Sequence, residues 1–383
     1  MSSNVGPEHA VAAACVFDGT KLHSDAAVVI DGACVQKVVP RAELSSAMPV
    51  HELPEGLWLA PGFIDCQVNG GGDVLFNDAP TAESIRKITA AHRHFGTTAL
   101  LPTLISDSPE KMRSALSAID ALSDTDPSVL GIHLEGPFLS PEKAGVHDSH
   151  LIRKPTPEDL DLITARRHVV TLVTLAPEQV PSDFIGKLVR AGIRVALGHS
   201  MATYVQTREA MAAGLTGFTH LFNAMRALDS REPGPIAAAL EAPQACYGLI
   251  IDGIHVAPAM LRLALRGAGL PMLVTDAMPP VGGTGRTFAL NGQSIAVSEG
   301  RCMRQDGRLA GACLDMASAV RNCVHLLDVP LTQALRFAST NPARFLGLGD
   351  RLGKLAPGMR ADMVAIDPDR VEVHRTWVAG QID

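Results

Sequence analysis

The chain is poor in aromatic residues: 383 residues include two Trp and two Tyr, and Phe, Trp and Tyr together make up 4%. That scarcity argues against a sugar groove built on stacked rings. The seven cysteines, Cys15, Cys34, Cys66, Cys246, Cys302, Cys313 and Cys323, are odd in number, scattered and without a C-x-x-C pair. Each is expected to be a small buried hydrophobe in a reducing cytoplasm, not a ligand or a nucleophile. No run reaches about 18 uncharged apolar residues, so no membrane-spanning helix is expected. The opening MSSNVGPEHAVAAACVFDGT has no basic n-region and is interrupted by Asp18, so no signal or transit peptide is read there. Lys and Arg form no block that would track a phosphate backbone, and 33 of them against 40 Asp and Glu leave a net charge of −7. Nucleic acid and membrane are therefore not expected partners.

What is present is ample core material, 46% hydrophobic and 19% charged residues. At roughly 150 residues per domain the length allows about two to three domains, or one large barrel with additions. Residues 8–60 read as short β-segments, AVAAACVF, AAVVI, CVQKVV and LWLAPG, with a turn at Asp31-Gly32. From Phe63 onward eight apolar runs alternate with helical stretches: FIDCQV, TALLPTLI, VLGIHLE, VVTLVTL, RVALGHS, GFTHLF, CYGLIID and PMLVTDA. Thr81, Ser108-Pro109 and Thr156-Pro157 supply helix starts. No G-x-G-x-x-G follows the first run, so an open dinucleotide-binding sheet is disfavoured. The fold expectation is α/β: a (β/α)8 TIM-type barrel with a small β-sandwich domain built from both chain ends. Residues 1–61 and 347–383 form that domain, and 62–346 form the barrel, with a β-hairpin insertion at about 280–311 and helices at about 315–328 and 331–346.

In such a barrel chemistry gathers where strands end. The polar residues there are Gln67 and Asn69, Glu135, His199, His220, Asp252 through His255, and Asp276. A carboxylate and two imidazoles from strands three, five and six make a three-ligand site for an ion such as Zn²⁺, with one position left for water. Water acidified by such an ion attacks a carbonyl at neutral pH. The local pair His92 and His94 is read instead as solvated helix surface, because i and i+2 point to different faces. Gly70-Gly71-Gly72 lacks the G-K-[ST] ending of a phosphate loop, and glycines 282, 283 and 285 read as a turn at the base of the insertion.

PGFIDCQVNG, GIHLEGPFL, KAGVH, LGHSMA, GFTHLFNAM, REPG, DGIHV, VTDAM, LAG, TNPAR and GKLAPGMRADMV, distributed over essentially the whole chain, carry a resemblance. The sequence resembles the amidohydrolase superfamily and, within it, the N-acetylglucosamine-6-phosphate deacetylases. The resemblance implies metal-dependent removal of acetate from N-acetyl-D-glucosamine 6-phosphate. Glu135, His199 and His220 would hold the metal, and Asp276 would act as general base and acid. His147 would hydrogen-bond the acetyl carbonyl. Val146, Asn223, Ala224, Asp252, Leu309, Ala310 and Gly311 would belong to the substrate site, with His255 and Arg231 on the phosphate.

The resemblance further implies a homodimer in which Arg231 reaches the neighbouring subunit's substrate. The usual His-x-His after strand one is here Gln67-x-Asn69, whose uncharged amides bind Zn²⁺ poorly. One Zn²⁺ per subunit is expected, with Fe, Mn or Co as alternatives and Gln67 and Asn69 as a weak second-metal or water site. Two other readings stay open, an N-acetylgalactosamine-6-phosphate deacetylase and a catalytically silent sugar-phosphate-binding barrel.

Overall fold

All eight apolar runs form strands of one parallel sheet in the computed structural model, which describes residues 8–165 and 169–382. We label these strands β1 (Phe63–Val68), β2 (Thr97–Ile105), β3 (Gly131–Glu135), β4 (Val170–Leu175), β5 (Arg194–Leu197), β6 (Gly217–Phe218), β7 (Cys246–Leu249) and β8 (Leu270–Leu273). They neighbour one another in chain order. The ring closes beyond β8, where Asp276 N–H donates to the Gln67 carbonyl at 3.0 Å and Val68 bridges Ala277. β1 and β2 are buried along their whole lengths, as strands covered on both faces must be, which is why they read as apolar runs and not as alternating patterns.

The expected caps are made. Thr81 Oγ1 accepts from Ser84 N–H ahead of α1 (Ala82–Arg93), and Ser108 caps α2 (Pro109–Asp120) through Lys111 N–H. Thr156 and Asp159 form a reciprocal capping box on α3 (Pro157–Thr164). His92 departs from expectation. It is fully buried in the last turn of α1 while His94, beyond the helix, is exposed. The two do face apart, but the helix surface at His92 is core and not solvent.

The chain divides into two compact units, one of Cys66–Ala91 and Leu100–Leu314, the other of Asp65 and the residues before it, His92–Ala99, and Asp315 onward. In the first unit the expected hairpin insertion is a four-stranded antiparallel meander, Thr287–Leu290, Gln293–Ser298, Arg301–Met303 and Leu309–Ala312. Its first two turns, Asn291-Gly292 and Glu299-Gly300, have positive φ at both residues, the geometry that matches strand twist in two-residue hairpins. The two glycine-rich segments are tied together: Asp73, in the tight turn between Gly70–Gly71 and Val74–Leu75, accepts from the N–H groups of Thr284 and Gly285. A Cβ at Gly283 would stand 2.2 Å from Asp73 Oδ1, so the turn requires glycine there.

In the second unit both chain ends build one continuous sheet, joined where Met363–Asp367 runs antiparallel to Trp58–Pro61. Alternation along Leu22–Asp31 sends Val28 and Ile30 into one apolar cluster and Ala27 and Val29 into another. Helices α4 (Met316–Leu327), α5 (Leu331–Ala338) and α6 (Thr340–Leu346) belong to this unit, the last two separated at Ser339 where one helix was expected. Among the described residues no helix is long and apolar enough to cross a membrane.

Candidate metal centre

Glu135 is the last residue of β3, whereas His199, His220 and Asp276 lie just past the ends of β5, β6 and β8. These three share left-handed backbone, with φ of +48°, +32° and +52°. Such a conformation costs a residue with a side chain on the order of 1–3 kcal/mol and persists only where the surroundings impose it. The turn ends each ladder early and swings the side chain across the barrel mouth.

The three atoms expected to hold a metal do converge. His220 Nε2 lies 3.0 Å and His199 Nε2 lies 3.2 Å from Glu135 Oε1, and the two Nε2 atoms are 3.1 Å apart. All three residues are buried. His199 Nδ1 stands 2.7 Å from the Lys143 carbonyl, an acceptor, so Nδ1 carries the hydrogen and Nε2 presents its lone pair inward. Lone pairs and a carboxylate aimed at one point call for a cation. Ligands about 2.0–2.1 Å from a tetrahedral ion are roughly 3.3 Å from one another, close to the spacing here. The residues therefore fit a divalent metal. Burial would lift the Glu135 carboxyl, but the adjoining imidazoles of His199 and His220 hold it well below its ordinary range. Against the opposing effect of burial, that carboxylate raises His220.

Asp276 stands beside this cluster. Burial first, then the charge on Glu135, raises its carboxyl above the usual range, opposed by His220, His255 and the amide of Asn69. Asn69 Nδ2 donates to Asp276 Oδ1 at 2.7 Å, and Gln67 Nε2 lies 3.1 Å from both Asp276 Oδ1 and Glu135 Oε1. Carboxylates only accept, so both amides turn their nitrogens inward.

Glu135, His199, His220, Asp276 and Asn69 line a cavity of about 220 Å³ with Val146, His147, Asn223, Ala224, His255, Leu309 and Gly311. His147 Nδ1 accepts from Ser106 N–H at 3.1 Å, so its Nε2 carries the hydrogen. Burial, then the neighbouring His199, depresses this imidazole to about 3, which keeps it neutral. His255 Nδ1 pairs with Asp252 Oδ2 at 2.6 Å, and Asp252 also accepts from the N–H groups of Ile254 and His255. Asp252 itself does not line the cavity; it orients His255. Ala310, expected in the substrate site, is fully buried in the meander core, because strand residues alternate and only Leu309 and Gly311 face the cavity. Arg231 is exposed and outside the lining within one chain.

Sequence reading missed Ser106 and Ile105 at the end of β2, and Leu75, Asn77, Ile250 and Met278, all but Ser106 lining the cavity. The strand-end rule applied to β2 would have found the first two. Leu75 ends, and Asn77 follows, a short hairpin that has no signature beyond its glycines.

The amidohydrolase family model matches residues 58–382. The chain belongs to the amidohydrolase family. An N-acetylgalactosamine-6-phosphate deacetylase of Shewanella sp. (strain ANA-3) is 42% identical to it over 353 residues, 91% of this chain and 89% of the relative. An N-acetylglucosamine-6-phosphate deacetylase of Haemophilus influenzae is 36% identical over 350 residues, 90% of this chain and 91% of the relative. The crystal structure of N-acetylglucosamine-6-phosphate deacetylase from Pasteurella multocida superposes with a TM-score of 0.94 at 32% identity, covering 98% of this chain and 99% of that one. This amidohydrolase thus has the barrel fold of an enzyme family, and its buried Glu135, His199 and His220 could hold a divalent ion.

Proposed function

We propose that this amidohydrolase removes acetate from N-acetyl-D-glucosamine 6-phosphate, leaving D-glucosamine 6-phosphate. The observation that carries the reading is the meeting of Glu135, His199, His220 and Asp276 in one buried cavity that also contains His147 and His255. Glu135 Oε1, His199 Nε2 and His220 Nε2 would hold one ion per chain, Zn²⁺ by the character of the donors, with Fe, Mn or Co as substitutes. When bound, such an ion polarises the acetyl carbonyl and acidifies water.

Asp276 takes the proton from the attacking water and returns it to the sugar nitrogen, because an amine leaves only once protonated. Its raised pKa suits both halves of that task. His147 donates its Nε2 hydrogen to the acetyl oxygen as negative charge develops there. His255, fixed by Asp252, and Arg231 from a second copy of the chain bind the phosphate, for which the guanidinium fork is well shaped. Val146, Asn223, Ala224, Leu309 and Gly311 border the sugar. Gln67 and Asn69 give their amide nitrogens to carboxylates and so steady Asp276 and Glu135, and as uncharged amides they bind Zn²⁺ poorly, so a second tightly held ion is not expected.

A second reading keeps this chemistry and changes the sugar to N-acetylgalactosamine 6-phosphate, favoured by the 42% identity to the Shewanella relative. Acetate release from both N-acetylhexosamines, each with and without the 6-phosphate and with metal supplied, tests both readings. A higher kcat/KM on the glucosamine substrate supports the first. No release from any sugar would leave a silent binding barrel.

A further inference from the structure

The Sγ atoms of Cys302 and Cys313 stand 2.8 Å apart in the meander. This is short for two sulfurs that are not bonded, and within about 0.8 Å of a covalent S–S length. Arg301 pairs with Ala312 across antiparallel strands, which places Cys302 one residue along its strand and Cys313 just past the end of the other. A bulge between Arg301 and Met303 adds twist at that point. Cys302 is fully buried, whereas Cys313 is partly exposed, so an oxidant in solution meets Cys313 first. Hydrogen bonding from Cys302 holds the Cys313 thiol below its ordinary value, and the same contact, with burial, pushes Cys302 up. A partly exposed thiol with added thiolate character beside a buried one is the pairing of an attacking and a resolving cysteine.

We propose that Cys302 and Cys313 are a peroxide-reactive dithiol that closes to a reversible disulfide and staples the meander against the cavity. The Cys313 thiolate attacks one oxygen of hydrogen peroxide, the O–O bond breaks, and the departing hydroxide takes up a proton to become water. Cys313 is now a sulfenic acid. The Cys302 sulfur then attacks the Cys313 sulfur, the S–O bond breaks and, with the thiol proton, the oxygen leaves as a second water. Two thiols lose two electrons and the peroxide gains them. A dithiol reductant reverses the change by exchange. The position gives the disulfide its effect. Leu309 and Gly311, on the strand leading to Cys313, line the cavity, and Cys302 packs in one apolar cluster with Leu75, Ile105 and Met278. None of this depends on which sugar is the substrate.

The test exposes the purified full chain to a slight excess of hydrogen peroxide, denatures it and alkylates the remaining thiols. Two of the seven labels should be lost and should return after dithiothreitol. Trypsin cuts after Arg304 and Arg308, so the two cysteines lie on separate peptides, which should be found joined. In Cys302→Ser the same treatment should leave a sulfenic acid on Cys313 that dimedone captures, while Cys313→Ser should leave Cys302 unmodified. Limited proteolysis within 287–312 should slow several-fold in the oxidised chain. Seven labels retained, a cross-link to another cysteine, or capture at Cys302 in Cys313→Ser would overturn the dithiol. Equal proteolysis of both forms would overturn the staple.

Discussion

Asn69 donates its side-chain amide to Oδ1 of Asp276 at 2.7 Å, which leaves Oδ2 without a hydrogen-bond donor among the described residues. One oxygen is anchored and the other is open to a proton. Asn69 also opposes the burial and Glu135 charge that raise Asp276. A general base works ionised, so kcat/KM falls as pH drops through its pKa. Asn69→Ala removes a donor that favours the ionised form and should move the acid limb of the kcat/KM profile to higher pH. An acid limb at the same or lower pH would show that Asn69 does not tune this carboxylate.

Asp276→Asn keeps the shape of the side chain and removes the ability to take a proton. Turnover should drop by about 10²-fold or more, the usual size of a general acid–base contribution, with substrate affinity retained. Calorimetric titration of the phosphosugar against the variant, beside an acetate-release assay, separates the two quantities. Near-normal turnover would refute the assignment.

His147 is a neutral donor whose direction is set by Ser106 N–H. His147→Ala should lower kcat by roughly 10²–10³-fold, as loss of one donor to a developing oxyanion does. Because burial holds His147 at about 3, its own titration should contribute no limb at neutral pH in the native enzyme. A variant that raises KM with kcat unchanged would instead mark His147 as a binding group alone.

The barrel was legible because parallel strands covered on both faces leave apolar runs that need no periodicity to be seen. The same feature hid where the strands stop. His220 reads as part of its run, yet β6 ends at Phe218 and His220 turns to positive φ, a backbone change that costs energy and leaves no mark on residue type. Glu135, His199, His220 and Asp276 could be placed at one mouth by strand order alone. The partners that fix the tautomers of His199 and His147, the Lys143 carbonyl and the Ser106 N–H respectively, are backbone groups and therefore carry no signature in the sequence. Ala310 falls outside the cavity lining, which a three-residue motif does not reveal but strand alternation does.

Metal content follows from three convergent donors and from uncharged amides at Gln67 and Asn69, which bind Zn²⁺ poorly. Elemental analysis should give about one tightly held divalent ion per chain, and His199→Ala or His220→Ala should lose both ion and activity. Chelation should abolish turnover and lower Tm, with both restored by adding the ion back. An ion that binds only the folded chain stabilises it by about 2.7 kcal/mol at a hundredfold excess over Kd. Two tight ions per chain would overturn the single-ion assignment.

In the proposed reading Arg231 would connect specificity to assembly. It is exposed and outside its own chain's cavity lining, in a segment where its backbone N–H is held by Asp229, so the side chain is available to a neighbouring copy. If it binds the phosphate of the adjacent subunit, the enzyme is a two-fold dimer with two shared sites. Arg231→Ala should then raise KM for the phosphorylated sugar by at least tenfold, while the slow reaction with the unphosphorylated sugar barely changes. The loss of a charge-assisted, bidentate contact supplies an effect of that size. Mixing Arg231→Ala chains with Asp276→Asn chains should restore activity, because a heterodimer places an intact Asp276 and an intact partner Arg231 at one of its two sites. The mixed sample should approach a quarter of native activity once subunits have exchanged randomly, since half the dimers are mixed and each carries one complete site. Proven exchange without recovery, or full activity in a monomer, would confine Arg231 to its own chain.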